Sequence, residues 1–201
     1  MVSLILLLAL PAHAADPLPD AVVSAFQKLA TPKTVQAEFV QTQYRKVLTR
    51  PFESHGKIAF SRPDALRWEV TAPAPAIFVM QGAQMGMRYP ALDVTEHLSL
   101  DGRPELLGLV KGLTIWLHAD TEALRSDYEV TEAAGQPLAL TLVPKNDTLH
   151  KWIASIGLVL SADSAHVDQV TLTEPDGDRS EIAFHDVVLD QPLPPQSFEL
   201  P

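Results

Sequence analysis

The side chains able to do bond chemistry in this chain are scattered. His55, His97, His118, His150, His166 and His185 show no HExxH or comparable ligand spacing, and no G-x-S-x-G elbow presents a serine nucleophile. Asp93, Glu96 and His97 come nearest to an acid–base cluster, but no substrate pocket is legible around them. The nine glycines are dispersed, so no phosphate-cradling loop forms. The chain has no cysteine, which excludes disulfides, thiolate metal sites, thiol nucleophiles and a lipid-modified N-terminal cysteine. These patterns predict a protein that is not an enzyme and uses no cofactor or metal.

The more distinctive residues are apolar. Met80, Met85 and Met87 lie close together, and thioethers fill irregular space well. Leu66 and Trp68 share one face of a strand pattern, as do Phe78 and Met80 on the next. They read either as ordinary core or as the lining of a greasy cavity. Among the charged groups Arg62 stands out, at an Arg-Pro break between two strand patterns. Its guanidinium offers five donors; a solvated turn arginine is the plain alternative.

The elements that must hold these groups are mostly strands. From Val35 the apolar period becomes 2, with Val35, Ala37, Phe39 and Gln41 opposite Gln36, Glu38, Val40 and Thr42. Strand-like runs recur at 47–49, 56–61, 65–71, 76–81, 85–89, 94–99, 128–131, 137–144, 152–161, 166–174 and 179–189, and Asp176-Gly177 marks a tight turn. So many short antiparallel strands predict a mainly β (α+β) fold, one strongly curved sheet or barrel. Ahead of them, Asp20 is placed to cap a helix through Ala30 with Val22, Val23, Phe26 and Leu29 in one stripe.

Residues 103–118, RPELLGLVKGLTIWLH, predict a second helix that is apolar almost all round, with Leu106, Leu107, Leu109, Val110, Leu113, Ile115, Trp116 and Leu117. Gly108 and Gly112 weaken its middle by about 1 kcal/mol each relative to alanine. An all-round apolar helix needs cover, and in a β protein that cover is the concave face of the sheet.

Composition narrows the function. The 201 residues, 46% hydrophobic, suffice for one domain with a real core. A net charge of -10 argues against nucleic acid as a partner. Val2 to Leu10 is almost wholly apolar, and Ala12-His13-Ala14 gives the small-x-small pattern of an export signal. Residues 1–14 therefore read as a signal peptide and 15–201 as a single periplasmic domain.

Phe39-Val40-Gln41, then Gly56, Arg62-Pro63, Leu66, Trp68, Pro73 and Gly82, and later Leu142 to Pro144, Asp176-Gly177 and Phe198, resemble the LolA family in order and spacing. That family consists of periplasmic carriers of outer-membrane lipoproteins. The resemblance implies an unclosed antiparallel β-barrel whose apolar inner face is covered by a lid made of the N-terminal and central helices. It implies that Arg62 is a latch hydrogen-bonding lid carbonyls. On the residue pattern, Phe39, Leu66, Trp68, Phe78, Met80, Met85 and Met87 are the candidates to line such a cavity, with plain core as the alternative, and Leu106, Val110, Leu113, Trp116 and Leu117 fall on the central lid helix. By the resemblance, the chain's partners would be acylated lipoprotein or lipid cargo, an ATP-driven inner-membrane complex that releases it and an outer-membrane receptor, with the carrier a monomer. Two other roles fit the same resemblance: a shuttle for another exported lipid or glycolipid, and a lipoprotein-sensing module of an envelope-stress pathway. The segment Tyr44 to Phe52, YRKVLTRPF, is basic in an acidic chain and reads as a solvated hairpin or as a docking edge.

Overall fold

The computed structural model describes residues 17–133 and 135–200. The signal peptide expected at residues 1–14 lies outside the described residues.

The helix α1 (Asp20–Leu29) buries Val22, Ala25, Phe26 and Leu29. Pro19 occupies the cap position without a side-chain bond, so Asp20 does not cap: it is the first helical residue, where its charge meets the positive end of the dipole.

Eleven strands follow: β1 (Thr34–Tyr44), β2 (Phe52–Ser61), β3 (Ala65–Ala72), β4 (Ala76–Gln81), β5 (Gln84–Tyr89), β6 (Val94–Ser99), β7 (Tyr128–Ala133), β8 (Ala139–Pro144), β9 (Ser155–Leu160), β10 (Val167–Thr173) and β11 (Arg179–Leu189). They form one sheet in the order β6-β5-β4-β3-β2-β1-β11-β10-β9-β8-β7, with β6 and β7 as open edges. All ten pairings are antiparallel. Register shifts at Gln36/Glu38, His55/Gly56 and Val167/Gln169 are of the kind that bends a strand and raises its twist, which curls the sheet. The expected unclosed, curved antiparallel sheet is the fold observed.

Two expected strands differ. Residues 47–49 form the turn of the β1–β2 hairpin: their β-branched residues face solvent, with Val47 89% exposed. Trp152 to Ala154 precede β9, as a turn out of the short helix α5 (Asp147–His150).

Residues 103–118 are two helices, not one. The helix α2 (Pro104–Leu113) ends at Thr114, whose backbone leaves the helical region, and α3 (Ile115–His118) follows. The Val110 carbonyl accepts both the Thr114 amide at 3.1 Å and Thr114 Oγ1 at 2.8 Å, a back-bond of the kind that bends or ends a helix. The split suits the burial: α2 has no fully buried residue, whereas Ile115, Trp116 and Leu117 are all buried. The helix α4 (Thr121–Asp127) is capped by Asp120 Oδ1, which accepts from the Glu122 and Ala123 amides.

Cross-strand register brings the apolar residues into rows. One runs Val35, Phe60, Leu66, Met80, Met85, and the next Ala37, Ile58, Trp68, Phe78, Met87. Leu140, Leu158 and Val170 form a matching row from the other half of the sheet. Residues of both halves and of α1, α3 and α4 belong to one buried core. On the outer face, the chain beyond β11 covers Val79 and Gly86 with Phe198 and Leu200, and Arg67 donates to the Glu199 carbonyl at 3.0 Å.

Candidate functional site

Arg62 follows β2 directly, in the turn to β3, and its guanidinium points under the helices. Nε donates to the Pro32 carbonyl at 2.8 Å, one Nη donates to the His118 carbonyl at 2.8 Å and the other to the Leu29 carbonyl at 2.6 Å. Its backbone amide donates to the Lys33 carbonyl at 2.9 Å. Leu29 and His118 are the last residues of α1 and α3, so one cation satisfies carbonyls at the negative ends of two helices. Burial pulls the guanidinium's pKa down from its ordinary value, but an arginine starts so high that it stays charged. The side chain also lies against the Phe60 ring, 5.6 Å from its centre.

An aromatic ladder runs between sheet and helices. Phe39 on β1 stacks on Trp68 of β3 at 4.1 Å between centroids, Trp68 meets the edge of Phe184 on β11 at 6.3 Å, and Phe184 contacts Trp116 of α3 at 5.2 Å. Gly56 makes the first step possible. A Cβ there would lie 2.3 Å from Phe39 Cζ and 2.1 Å from the Glu69 carbonyl oxygen.

A second tie fixes the end of α2. The buried Tyr128 hydroxyl donates to the Gly112 carbonyl at 3.0 Å, and burial raises the phenol's pKa. A Cβ at Gly112 would lie 2.6 Å from a methyl of Leu149 on α5 and 3.0 Å from the Tyr128 oxygen, so a larger residue there would require the Leu149 side chain to shift.

Between the helices and the inner face remains a cavity of about 30 Å³, lined by apolar groups that include Val35, Ile58, Trp116, Leu117, Phe184 and Val187. That is room for about one water molecule. His166 also lines it, with Nε2 3.1 Å from Asp168 and Nδ1 buried without a partner. A far larger groove, about 740 Å³, lies on the outer face below the C-terminal segment, but Glu38, Lys57, Arg67 and Glu69 line it and it is open to solvent. Of the two, the inner space has the mainly apolar walls.

The residues expected at the cavity occupy the inner rows. Phe39, Leu66 and Met80 are buried in the core, while Trp68, Phe78 and Met85 are partly buried against it. Met87 is half-buried, its sulfur 3.7 Å from the Tyr89 hydroxyl. None of them lines the 30 Å³ that is left. Of the expected lid residues, Trp116 and Leu117 close that space, Val110 and Leu113 pack partly on the core, and Leu106 is 42% exposed. Two residues of the site, Phe184 and Tyr128, are not among those the sequence singles out. Alternation with Ile182 would place Phe184 on the inner face, but nothing local ties Tyr128 to a carbonyl sixteen residues earlier.

Nothing in this arrangement resembles a catalytic constellation. The one trio of possible metal ligands among the described residues, Glu38, His185 and Asp186, is exposed, with Glu38 held by Lys57 and His185 by Asp186.

The model of the family described as outer membrane lipoprotein carrier protein LolA matches residues 30–201. The chain belongs to the LolA family. It is 29% identical over 192 residues to the outer-membrane lipoprotein carrier protein of Pseudomonas fluorescens strain Pf0-1, covering 94% of this chain and 87% of that one. It is 29% identical over 175 residues to the protein of that name from Azotobacter vinelandii, covering 86% and 80%. Among solved structures, an uncharacterized conserved protein from Thermus thermophilus superposes with a TM-score of 0.55 at 9% identity, over 90% of this chain and 94% of that one. MucB does so with a TM-score of 0.54 at 13% identity, over 90% and 62%. At such identities the likeness is one of fold. No helix among the described residues is long and apolar enough to cross a membrane.

Proposed function

We propose that this chain is a periplasmic carrier that shelters the acyl chains of lipoproteins on the inner face of its sheet, with α1, α2 and α3 as the lid. The observation that carries the reading is Arg62 bonded to three carbonyls of the lid and its flanks, above an apolar interior with almost no free volume. An interior this full admits an acyl chain only if the lid moves away. Three hydrogen bonds from a charged donor hold it at about 1.5–3 kcal/mol each. A chain of about 15 methylenes gains roughly 12 kcal/mol on full burial from water. Cargo can therefore outweigh the latch, and an emptied carrier recloses. Binding shifts a two-state lid through its better affinity for the open state.

In this reading Arg62 is the latch, the aromatic ladder and the methionine rows take up acyl chains once the lid lifts, and residues 1–14 direct export. No nucleotide, metal or catalytic group is required. An ATP-driven inner-membrane complex supplies the cargo and an outer-membrane receptor accepts it. Purification from the native periplasm followed by mass spectrometry of bound material tests this. Acylated lipopeptide supports the reading, a free lipid or glycolipid changes the cargo, and a protein that never carries acyl chains contradicts it.

A further inference from the structure

Among the described residues nine large hydrophobic side chains are exposed, and their distribution is uneven. Seven of them, Val47, Leu48, Phe52, Tyr89, Leu92, Val94 and Trp152, sit at one end of the sheet. Strand pairing fixes this. Tyr44 at the end of β1 pairs with Arg179 at the start of β11, Tyr89 pairs with Val94, and the Ala154 amide donates to the carbonyl of Thr173, which faces Arg179. The β1–β2, β5–β6 and β8–β9 connections therefore all emerge from the rim opposite the Arg62 turn. Singly scattered surface hydrophobics need no explanation, whereas a concentration on three loop tips does.

The charges at these tips are equally specific. Arg45 spends its charge on Glu174 and Asp178, and Lys46 bonds the Asp176 carbonyl. Asp93 is paired with Arg88 at 3.1 Å. Arg50, beside Leu48 and Phe52, and Lys151, beside Trp152, form no such pair among the described residues. In a chain of net charge -10 the rim thus pairs part of its acidic charge internally and leaves a free cation next to two of its apolar tips. Apolar and aromatic side chains flanked by free basic groups match the boundary of an anionic bilayer, where the rings and aliphatic groups enter the headgroup layer and the cations meet phosphates.

We infer that this rim docks the protein on the surface of an anionic lipid bilayer, with the β1–β2 tip and Trp152 as the inserting groups. Trp152 lies two residues beyond α5, whose Leu149 packs beside Gly112 of α2, so the docked end adjoins the lid. The inference goes beyond the carrier reading and is tested without cargo.

The test is sedimentation of the purified full chain with vesicles of phosphatidylethanolamine and phosphatidylglycerol, and with vesicles of phosphatidylcholine alone. The wild type should partition onto the anionic vesicles and much less onto the neutral ones. Val47→Asp with Leu48→Asp, and separately Trp152→Gln, should each lower that partition by about tenfold, since each removes inserted apolar surface. Val188→Asp, at another exposed apolar residue on the outer face of β11, should leave it unchanged. These sites are exposed, so circular dichroism and thermal melting should match wild type. No partition of the wild type, or partition indifferent to the tip variants, overturns the inference. Normal cargo loading with no vesicle binding would overturn it while leaving the carrier reading intact.

Discussion

Arg62 donates to the carbonyl of His118 at 2.8 Å across 56 residues of sequence, joining the sheet to the last residue of α3. The bond lies at the exit of the element that plugs the interior, so its loss acts on the lid before it acts on the sheet.

Replacing Arg62 with leucine should shift the lid toward its open state by a few kcal/mol, since three hydrogen bonds from a charged donor are lost. The expected outcome is more retained lipid and slower hand-over to an acceptor, measured as acyl content per protein and as release rate. Lysine should restore little, because an ammonium cannot reach three carbonyls in the guanidinium's fork geometry. Wild-type loading and release in Arg62→Leu would remove the latch.

The contact between Trp116 and Phe184 predicts coupling between lid and strand. Single alanine substitutions should each lower stability, and a double-mutant cycle should return a coupling of about 0.5–1.5 kcal/mol. Strict additivity in urea unfolding would mean that the rings do not support each other.

Gly56→Ala should destabilise the domain by about 1–3 kcal/mol or more, because the added methyl meets backbone as well as the Phe39 ring. The companion change Phe39→Leu should recover part of the loss by freeing the ring side. Equal urea midpoints for wild type and Gly56→Ala would contradict the close approach.

Tyr128 gives a pH dependence with a definite sign. Burial raises its pKa in the folded protein above the ordinary value near 10, so the folded state holds its proton where the unfolded state releases it. Its contribution is complete below about pH 10 and declines as pH rises further. Stability should therefore fall more steeply above pH 10 in wild type than in Tyr128→Phe. The variant should also lose about 1 kcal/mol at neutral pH with its bond to Gly112. Parallel pH profiles would place the phenol outside the core.

Much of the sheet was legible because period 2 is a local signal: β4, β6 and β11 have the bounds expected of them. Arg62 was legible as a candidate through its place at the Arg-Pro turn, although its carbonyl partners lie about 30 and 56 residues away. What stayed hidden depends on three-dimensional packing. The break at Thr114 divides a partly exposed helix from a buried one, and the apolar pattern from Leu106 to Leu117, weakened at Gly108 and Gly112, does not mark Thr114 as the place. Val47 to Thr49 has strand-like residue types, but the hairpin must turn there. Gly112 reads as a weak point in sequence, yet it sits where a Leu149 methyl and the Tyr128 hydroxyl come close, whereas nothing approaches Gly108.

A carrier of this kind holds acyl chains between the inner face of the sheet and the lid. A photo-crosslinking amino acid at Phe184, inside, and at Val188, outside on the same strand, tests it in the native host fed a clickable fatty acid. Acylated lipoprotein should crosslink at 184 and not at 188, and more strongly with Arg62→Leu. Crosslinking at 188 alone, or at neither position while other carriers in the same cells are labelled, would contradict it.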